Sequence, residues 1–170
     1  VETTVRGLAR FLQGETITRV TVNRPDMRRP FPPDLVQALT GATVTHLARR
    51  AKYGLIHTSR DHAMIFHLGM SGRWRTDPEV DEKHDHLVIE TAGHRFALND
   101  PRRFGSVDLM TAQELVTWKP LAALGPEPLG VPVVATGQPA LHPALLHVRV
   151  NLRVDALFEA LLLHQRAAGR

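Results

Sequence analysis

The stretch from Ala42 to Met110 constrains the fold more than any other part of this chain, because it reads as one short strand after another. Residues 43–51, 53–58, 63–68, 86–91, 95–99 and 106–110 are the candidate strands, and β-branched and apolar side chains recur along them. Between them lie Ser59-Arg60-Asp61, Ser71-Gly72 and Ala92-Gly93, residues that tolerate turn backbone. Strands set this close pair antiparallel, and sheets built from them bury a face against each other, as a sandwich or a barrel.

Helices flank this region. Residues 2–13 carry Val5, Leu8, Phe11 and Leu12 at helical spacing, and Gly14 supplies a stop. Residues 16–22 are rich in β-branched side chains and read as a further strand. Pro33 and Asp34 open a short helix that runs to Leu39, with Gly41 after it. The expected class is α+β: a two-sheet antiparallel β-sandwich flanked by helices, with a fragment of a second, helical domain. The sandwich domain is expected over 1–118. A Pro-rich linker follows over 119–143, where six of the chain's 12 prolines lie. Residues 144–170 are expected to begin the helical domain, with Val154, Leu157, Phe158, Leu161 and Leu162 on one helix face.

Charge and composition narrow the function. Lys and Arg total 21 against 17 Asp and Glu, and the excess is clustered: Arg24, Arg28 and Arg29; Arg49, Arg50 and Lys52; Arg102 and Arg103. Clusters of this kind suit a polyanion, although a solvated basic surface gives the same pattern. No apolar run approaches the roughly 18 residues of a membrane span. The chain has no cysteine, which removes disulfides and thiolate metal sites. The absence of cysteine fits a cytoplasmic protein, and a monomer is expected.

Four segments carry candidate chemistry. Arg49-Arg50-Ala51-Lys52-Tyr53 places Lys52 on a tight turn, where an ammonium can reach a phosphate or transfer a proton; a surface lysine on a hairpin is the plainer reading. His67-Leu68-Gly69-Met70-Ser71-Gly72 sets glycines around Met70, which suits either an apolar tip that wedges into a base stack or a methionine buried at a strand end. Lys83-His84-Asp85-His86 puts two histidines on one strand face; phosphate contact from His84 or a structural hydrogen bond fits better than a metal site, and no metal is expected. Asn99-Asp100-Pro101-Arg102-Arg103-Phe104-Gly105 combines a turn, two arginines for phosphate or an orphaned base, and Phe104 to stack in a gap; ion pairing of an arginine with Asp100 is the alternative. An enzyme that extrudes a base needs such loops, to fill the vacated stack and hold the kinked backbone.

In this order and spacing the segments resemble the formamidopyrimidine-DNA glycosylase family. The matching motifs are the opening Val1-Glu2-Thr3-Thr4-Val5-Arg6-Gly7-Leu8, Arg50-Ala51-Lys52-Tyr53, the run from His67 to Gly72, Lys83 to His86, Asp100 to Gly105, and Leu124-Gly125-Pro126-Glu127-Pro128-Leu129. The resemblance covers about residues 1 to 130. It implies a base-flipping DNA repair glycosylase with AP lyase activity, acting on double-stranded DNA that contains oxidised purines such as 8-oxoguanine and formamidopyrimidines. It assigns Lys52 to strand elimination, His84 and Arg102, with Arg103 beside them, to DNA contacts, and Met70, Arg102 and Phe104 to the wedge that fills the void. The endonuclease VIII branch, which takes oxidised pyrimidines, is the near alternative, but Tyr53 and the HLGMSG run are more similar to the purine branch.

The family pattern opens with a nucleophilic proline and a catalytic glutamate, and ends with a helix-two-turn-helix unit and a four-cysteine zinc finger. The 170 residues start after that opening and contain no cysteine. Glu2 aligns with a later helix glutamate and is expected to favour the helix N-terminus, not to act in catalysis. The resemblance therefore implies zinc only in the finger, no cofactor on this chain, and a 170-residue piece that does not itself cut DNA. A DNA-binding remnant is the alternative function.

Overall fold

The structure is a computed structural model, and it describes residues 1–124. Its elements run in the order α1 (Glu2–Leu12), β1 (Arg19–Val22), α2 (Leu35–Leu39), β2 (Val44–Arg50), β3 (Tyr53–Thr58), β4 (His62–His67), β5 (Arg73–Thr76), β6 (Asp85–Glu90), β7 (Arg95–Asn99), β8 (Ser106–Thr111), α3 (Ala112–Thr117) and α4 (Lys119–Ala122). The strands form two four-stranded antiparallel sheets, ordered β1-β6-β7-β5 and β2-β3-β4-β8. This is the expected α+β sandwich with flanking helices. Strands β3 and β7 fall on the expected residues, 53–58 and 95–99.

Alternation of side chains places one face of each sheet in a shared core. Ile56, Met64 and Phe66 from one sheet meet Leu87, Ile89, Phe96 and Leu98 from the other, all at most 1 % exposed. Burial of each such side chain contributes roughly 1.5–3 kcal/mol. Gly54 has no side chain for a physical reason: a Cβ there would lie 2.2 Å from Phe66 Cζ. Helix α1 closes the core with Val5, Leu8 and Leu12, and packs against β2, β3 and β5. Phe11, expected on the same face, is 42 % exposed. Its ring instead meets the His94 ring edge-on at 5.0 Å. At 100° per residue Phe11 lies at the margin of the apolar stripe that Leu8 and Leu12 define.

Three elements differ from the sequence expectation. Strand β5, Arg-Trp-Arg-Thr, carries no apolar alternation beyond Trp74 and is set by pairing with β7, Arg73 opposite Asn99. Helix α3 follows β8 directly and begins with a capping box, in which Thr111 Oγ1 accepts from the Glu114 N–H while the Glu114 carboxylate accepts from the Thr111 N–H. Helix α4 lies within the segment read as linker. The helical segment expected within 144–170, and the Gly125–Leu129 part of the last family motif, lie outside the described residues. No helix among the described residues is long and apolar enough to cross a membrane.

Candidate nucleic-acid interface

Strand register brings every singled-out segment to one end of the sandwich. In one sheet Arg50 pairs with Tyr53, Tyr53 with His67, and His67 with Ser106. In the other, Arg73 and Asp85 both pair with Asn99, and Val22 pairs with Leu87. The turn at Ala51-Lys52 and the loops at 23–30, 68–72, 83–84 and 100–105 all leave from that end. The turns at 59–61 and 92–93 leave from the other.

Lys52 sits exposed at the tip of the β2–β3 turn, beside Ala51 at φ 51°. An L-residue in the left-handed region costs about 1–2 kcal/mol, so something must hold it. Arg49 does so: its Nη1 donates to the Ala51 carbonyl at 2.9 Å, while its Nε donates to Glu2 at 2.7 Å. The Arg49 guanidinium, and then that of Arg6, hold the Glu2 carboxyl below its ordinary pKa. Glu2 thus ties the first turn of α1 to the base of the lysine turn, a larger part than the helix-end role expected of it.

Met70 is 77 % exposed, at the tip of its loop and not buried at a strand end. Gly69 has φ 61°, and a Cβ there would lie 2.6 Å from the Phe104 carbonyl carbon. Only glycine therefore lets the Met70 loop rest on the backbone of the Phe104 loop. Phe104 is 45 % exposed, and Arg102 lies over its ring with 4.6 Å from Cζ to the centroid. Met70, Arg102 and Phe104 are thus brought together on two packed loops.

His67 anchors the first of these loops, because the Gly69 N–H donates to its Nδ1 at 3.1 Å. That bond requires an unprotonated Nδ1. Burial, and then the charges of Lys52, Arg28 and Arg29, hold the His67 pKa below its ordinary value, in agreement with the bond. The sequence alone marks His67 only as a strand residue; its place two residues before a glycine turn is the signal that points to an anchor.

Asp100 pairs with no arginine among the described residues, contrary to the ion-pair alternative. Its carboxylate is fully buried and accepts from Ser71 Oγ at 2.5 Å and from the Gly105 N–H at 2.8 Å. Arg103 reaches Asp26 instead, at 3.4 Å, and Asp26 also takes Arg24 at 2.9 Å. The reason is geometric: the turn after Asp100 puts Arg103 at φ 56° and sends both arginines outward while the carboxylate points in.

A cleft of about 390 Å³ lies on this end, lined by Asn23, Arg24, Lys83, His84, Pro101 and Arg103 among others. His84 lies in the turn before β6 and not on a strand, contrary to expectation, and its ring stands 6.1 Å from the buried His86 ring. Asp85 is buried and is held by Arg75 at 2.7 Å and Asn99 at 2.9 Å. Among the described residues, Arg28, Lys52, Lys83 and Arg102 take part in no ion pair. No group of three or more metal-ligating side chains occurs among the described residues.

A sandwich with one cationic end and two apolar tips on it has the chemistry of a polyanion-facing domain. The family described as Formamidopyrimidine-DNA glycosylase N-terminal domain matches residues 1–107. The formamidopyrimidine-DNA glycosylase of Novosphingobium aromaticivorans is 69 % identical over 170 residues, covering 99 % of this chain and 60 % of that protein. That of Erythrobacter litoralis is 75 % identical over 130 residues, or 76 % of this chain and 48 % of that protein. The fold is similar to Lactococcus lactis Fpg (MutM) in complex with a FAPY-dG containing DNA, at TM-score 0.68 and 30 % identity, over 75 % of this chain and 49 % of that one. The chain belongs to the formamidopyrimidine-DNA glycosylase family, by way of that family's N-terminal domain. It spans about half the length of the relatives it matches.

Proposed function

We propose that this chain is the N-terminal half of a base-excision DNA glycosylase that removes oxidised purines from duplex DNA and then cleaves the strand as an AP lyase. The observation that carries this reading is the placing of two exposed apolar tips, Met70 and Phe104, on loops packed backbone to backbone, with Arg102 over the phenyl ring. A domain that only gripped phosphates would need the cations and not the tips.

In this reading the damaged nucleotide swings out of the helix. Met70 and Phe104 fill the gap, and the Arg102 guanidinium faces the orphaned partner base, offering donors in a fixed fork. His84 and Arg103, on the cleft, hold phosphates of the kinked strand, and Arg102 can reach one through another nitrogen. Lys52, at its strained and braced turn, moves a proton during strand elimination. The protein acts as a monomer in the cytoplasm, on nucleoid DNA. The chain carries no cofactor of its own. The zinc of the family's finger needs four thiolates, and with no cysteine these 170 residues do not fit that site.

Incision assays on the full-length protein test the reading. A duplex with 8-oxoguanine opposite cytosine is expected to be cut, and one with thymine glycol to be cut far more slowly. Preference for thymine glycol would move the protein to the oxidised-pyrimidine branch. Binding without incision of either would leave a DNA-binding remnant.

A further inference from the structure

We infer that Asp100, acting through Ser71, is the positioning residue that locks the Met70 and Phe104 loops into one wedge. This rests on the proposed function for its purpose, though not for its geometry.

Every polar atom of Asp100 is used. Its N–H donates to the His84 carbonyl at 3.0 Å, and its carbonyl accepts from His86 Nε2 at 2.9 Å. One carboxylate oxygen accepts from Ser71 Oγ at 2.5 Å, and the other accepts from the Gly105 N–H at 2.8 Å. Ser71 Oγ in turn accepts from the Arg102 N–H at 3.4 Å. One fully buried residue therefore joins three segments: the Met70 loop, the His84 segment and the turn that carries Arg102 and Phe104.

A carboxylate suits this place because two donors converge on it from opposite loops. Alanine in its place would leave both donors without an acceptor, whereas asparagine could still accept from the Gly105 N–H and donate to the Ser71 hydroxyl oxygen. No arginine or lysine pairs with Asp100 among the described residues, so its neighbours are neutral donors of fixed direction. Bonds from such donors to a carboxylate are directional and stronger than bonds between two neutral groups. Met70 and Phe104 have no polar side-chain hydrogen, so their loops are held by this carboxylate, by the Gly69 N–H bond to His67 and by the close contact at Gly69. Wedge insertion needs the two tips at a fixed separation, and a loose loop spreads them over many.

The test uses Ser71→Ala, Asp100→Ala, the double variant and Ser71→Thr. In the DNA-free protein, hydrogen exchange at the Gly105 amide is expected to speed up about tenfold or more in Asp100→Ala, because that amide loses its acceptor. In the full-length protein, affinity for a duplex with a tetrahydrofuran abasic analogue is expected to fall about tenfold in Ser71→Ala and in Asp100→Ala, with affinity for undamaged duplex changed less than about twofold. The double variant is expected to lose less than the sum of the two single losses, since both remove the Ser71–Asp100 bond. Ser71→Thr, which keeps the hydroxyl, is expected to restore binding. Equal losses on damaged and undamaged duplex, additive losses in the double variant, or unchanged Gly105 exchange would each overturn the inference. If the unmodified protein shows no preference for the abasic analogue, the proposed function fails instead, and Gly105 exchange still decides whether Asp100 locks the loops.

Discussion

The Arg102 guanidinium lies over the Phe104 ring, 4.6 Å from Cζ to the centroid, with only one residue between them in the chain. A stacked pair of this kind is worth about 0.5–1 kcal/mol at an exposed site, enough to hold the ring without burying it. Both groups remain open to a partner arriving from solvent.

Truncating the tips is therefore expected to cost binding and not folding. Met70→Ala and Phe104→Ala remove exposed side chains, so unfolding free energy should change by no more than about 0.5 kcal/mol. Affinity of the full-length protein for a duplex with an abasic analogue should fall by about 1–2 kcal/mol for Phe104→Ala, the scale of base–aromatic stacking. Thermal melts and a binding titration read the two effects separately. A large fall in melting temperature would mean the loops are part of the core.

Lys52→Ala is expected to separate two steps of the chemistry. Loss of a positioned proton carrier should slow strand elimination by about 100-fold, while base excision by the full-length protein falls less. Quantifying released base and cleaved strand in the same reaction checks this. Equal losses would make Lys52 a general DNA contact.

Much of this arrangement is legible in the amino-acid sequence. The strands at 53–58 and 95–99 and the Met70, Lys52 and Arg102–Phe104 segments declare themselves through turn residues and β-branched runs. Strand β5 does not, because Arg73 and Arg75 face away from the core and only Trp74 reaches it, so pairing with β7 decides it. The Asp100 bonds are hidden for another reason. Which partner a carboxylate takes depends on the turn that follows it, and Arg103 at φ 56° is a tertiary fact. The Thr111–Glu114 capping box, by contrast, stands in the sequence and marks where α3 begins.

Gly54→Ala tests the packing of the sandwich. The added methyl would stand 2.2 Å from Phe66 Cζ, deep in the core, and the ring has little room to move. Overpacking of this kind costs about 1–3 kcal/mol, occasionally more. Chemical denaturation should show a lower midpoint with an unchanged slope. An unchanged midpoint would mean Phe66 is free to shift.

Acid should weaken the fold through His57. Burial, and then the charge of His46, push its pKa down to about 4, and the two rings stack at 4.1 Å. A histidine held neutral in the fold is protonated first in the unfolded chain. Its contribution is thus complete above about pH 6.5, and is lost as pH falls toward about 4. Within that window the slope is about 1.4 kcal/mol per pH unit for one group. His57→Gln is expected to flatten the melting-temperature profile between these limits. A profile as steep as the parent's would show that other groups carry the dependence.

Entry of Met70 into the stack at a vacated base can be measured by disulfide cross-linking. The 170 residues contain no cysteine, so Met70→Cys introduces the one thiol among them, and the unsubstituted full-length protein supplies the background. Val36→Cys, 41 % exposed on α2, supplies the control; α2 is tied by Arg60 to the 59–61 turn at the opposite end of the sandwich. The duplex carries a disulfide-activated base opposite an abasic analogue. Cross-linking of Met70→Cys is expected at least about tenfold above that to the same duplex without the abasic analogue, with only background for Val36→Cys. Equal yields on the two duplexes, or from the two cysteines, would contradict such entry.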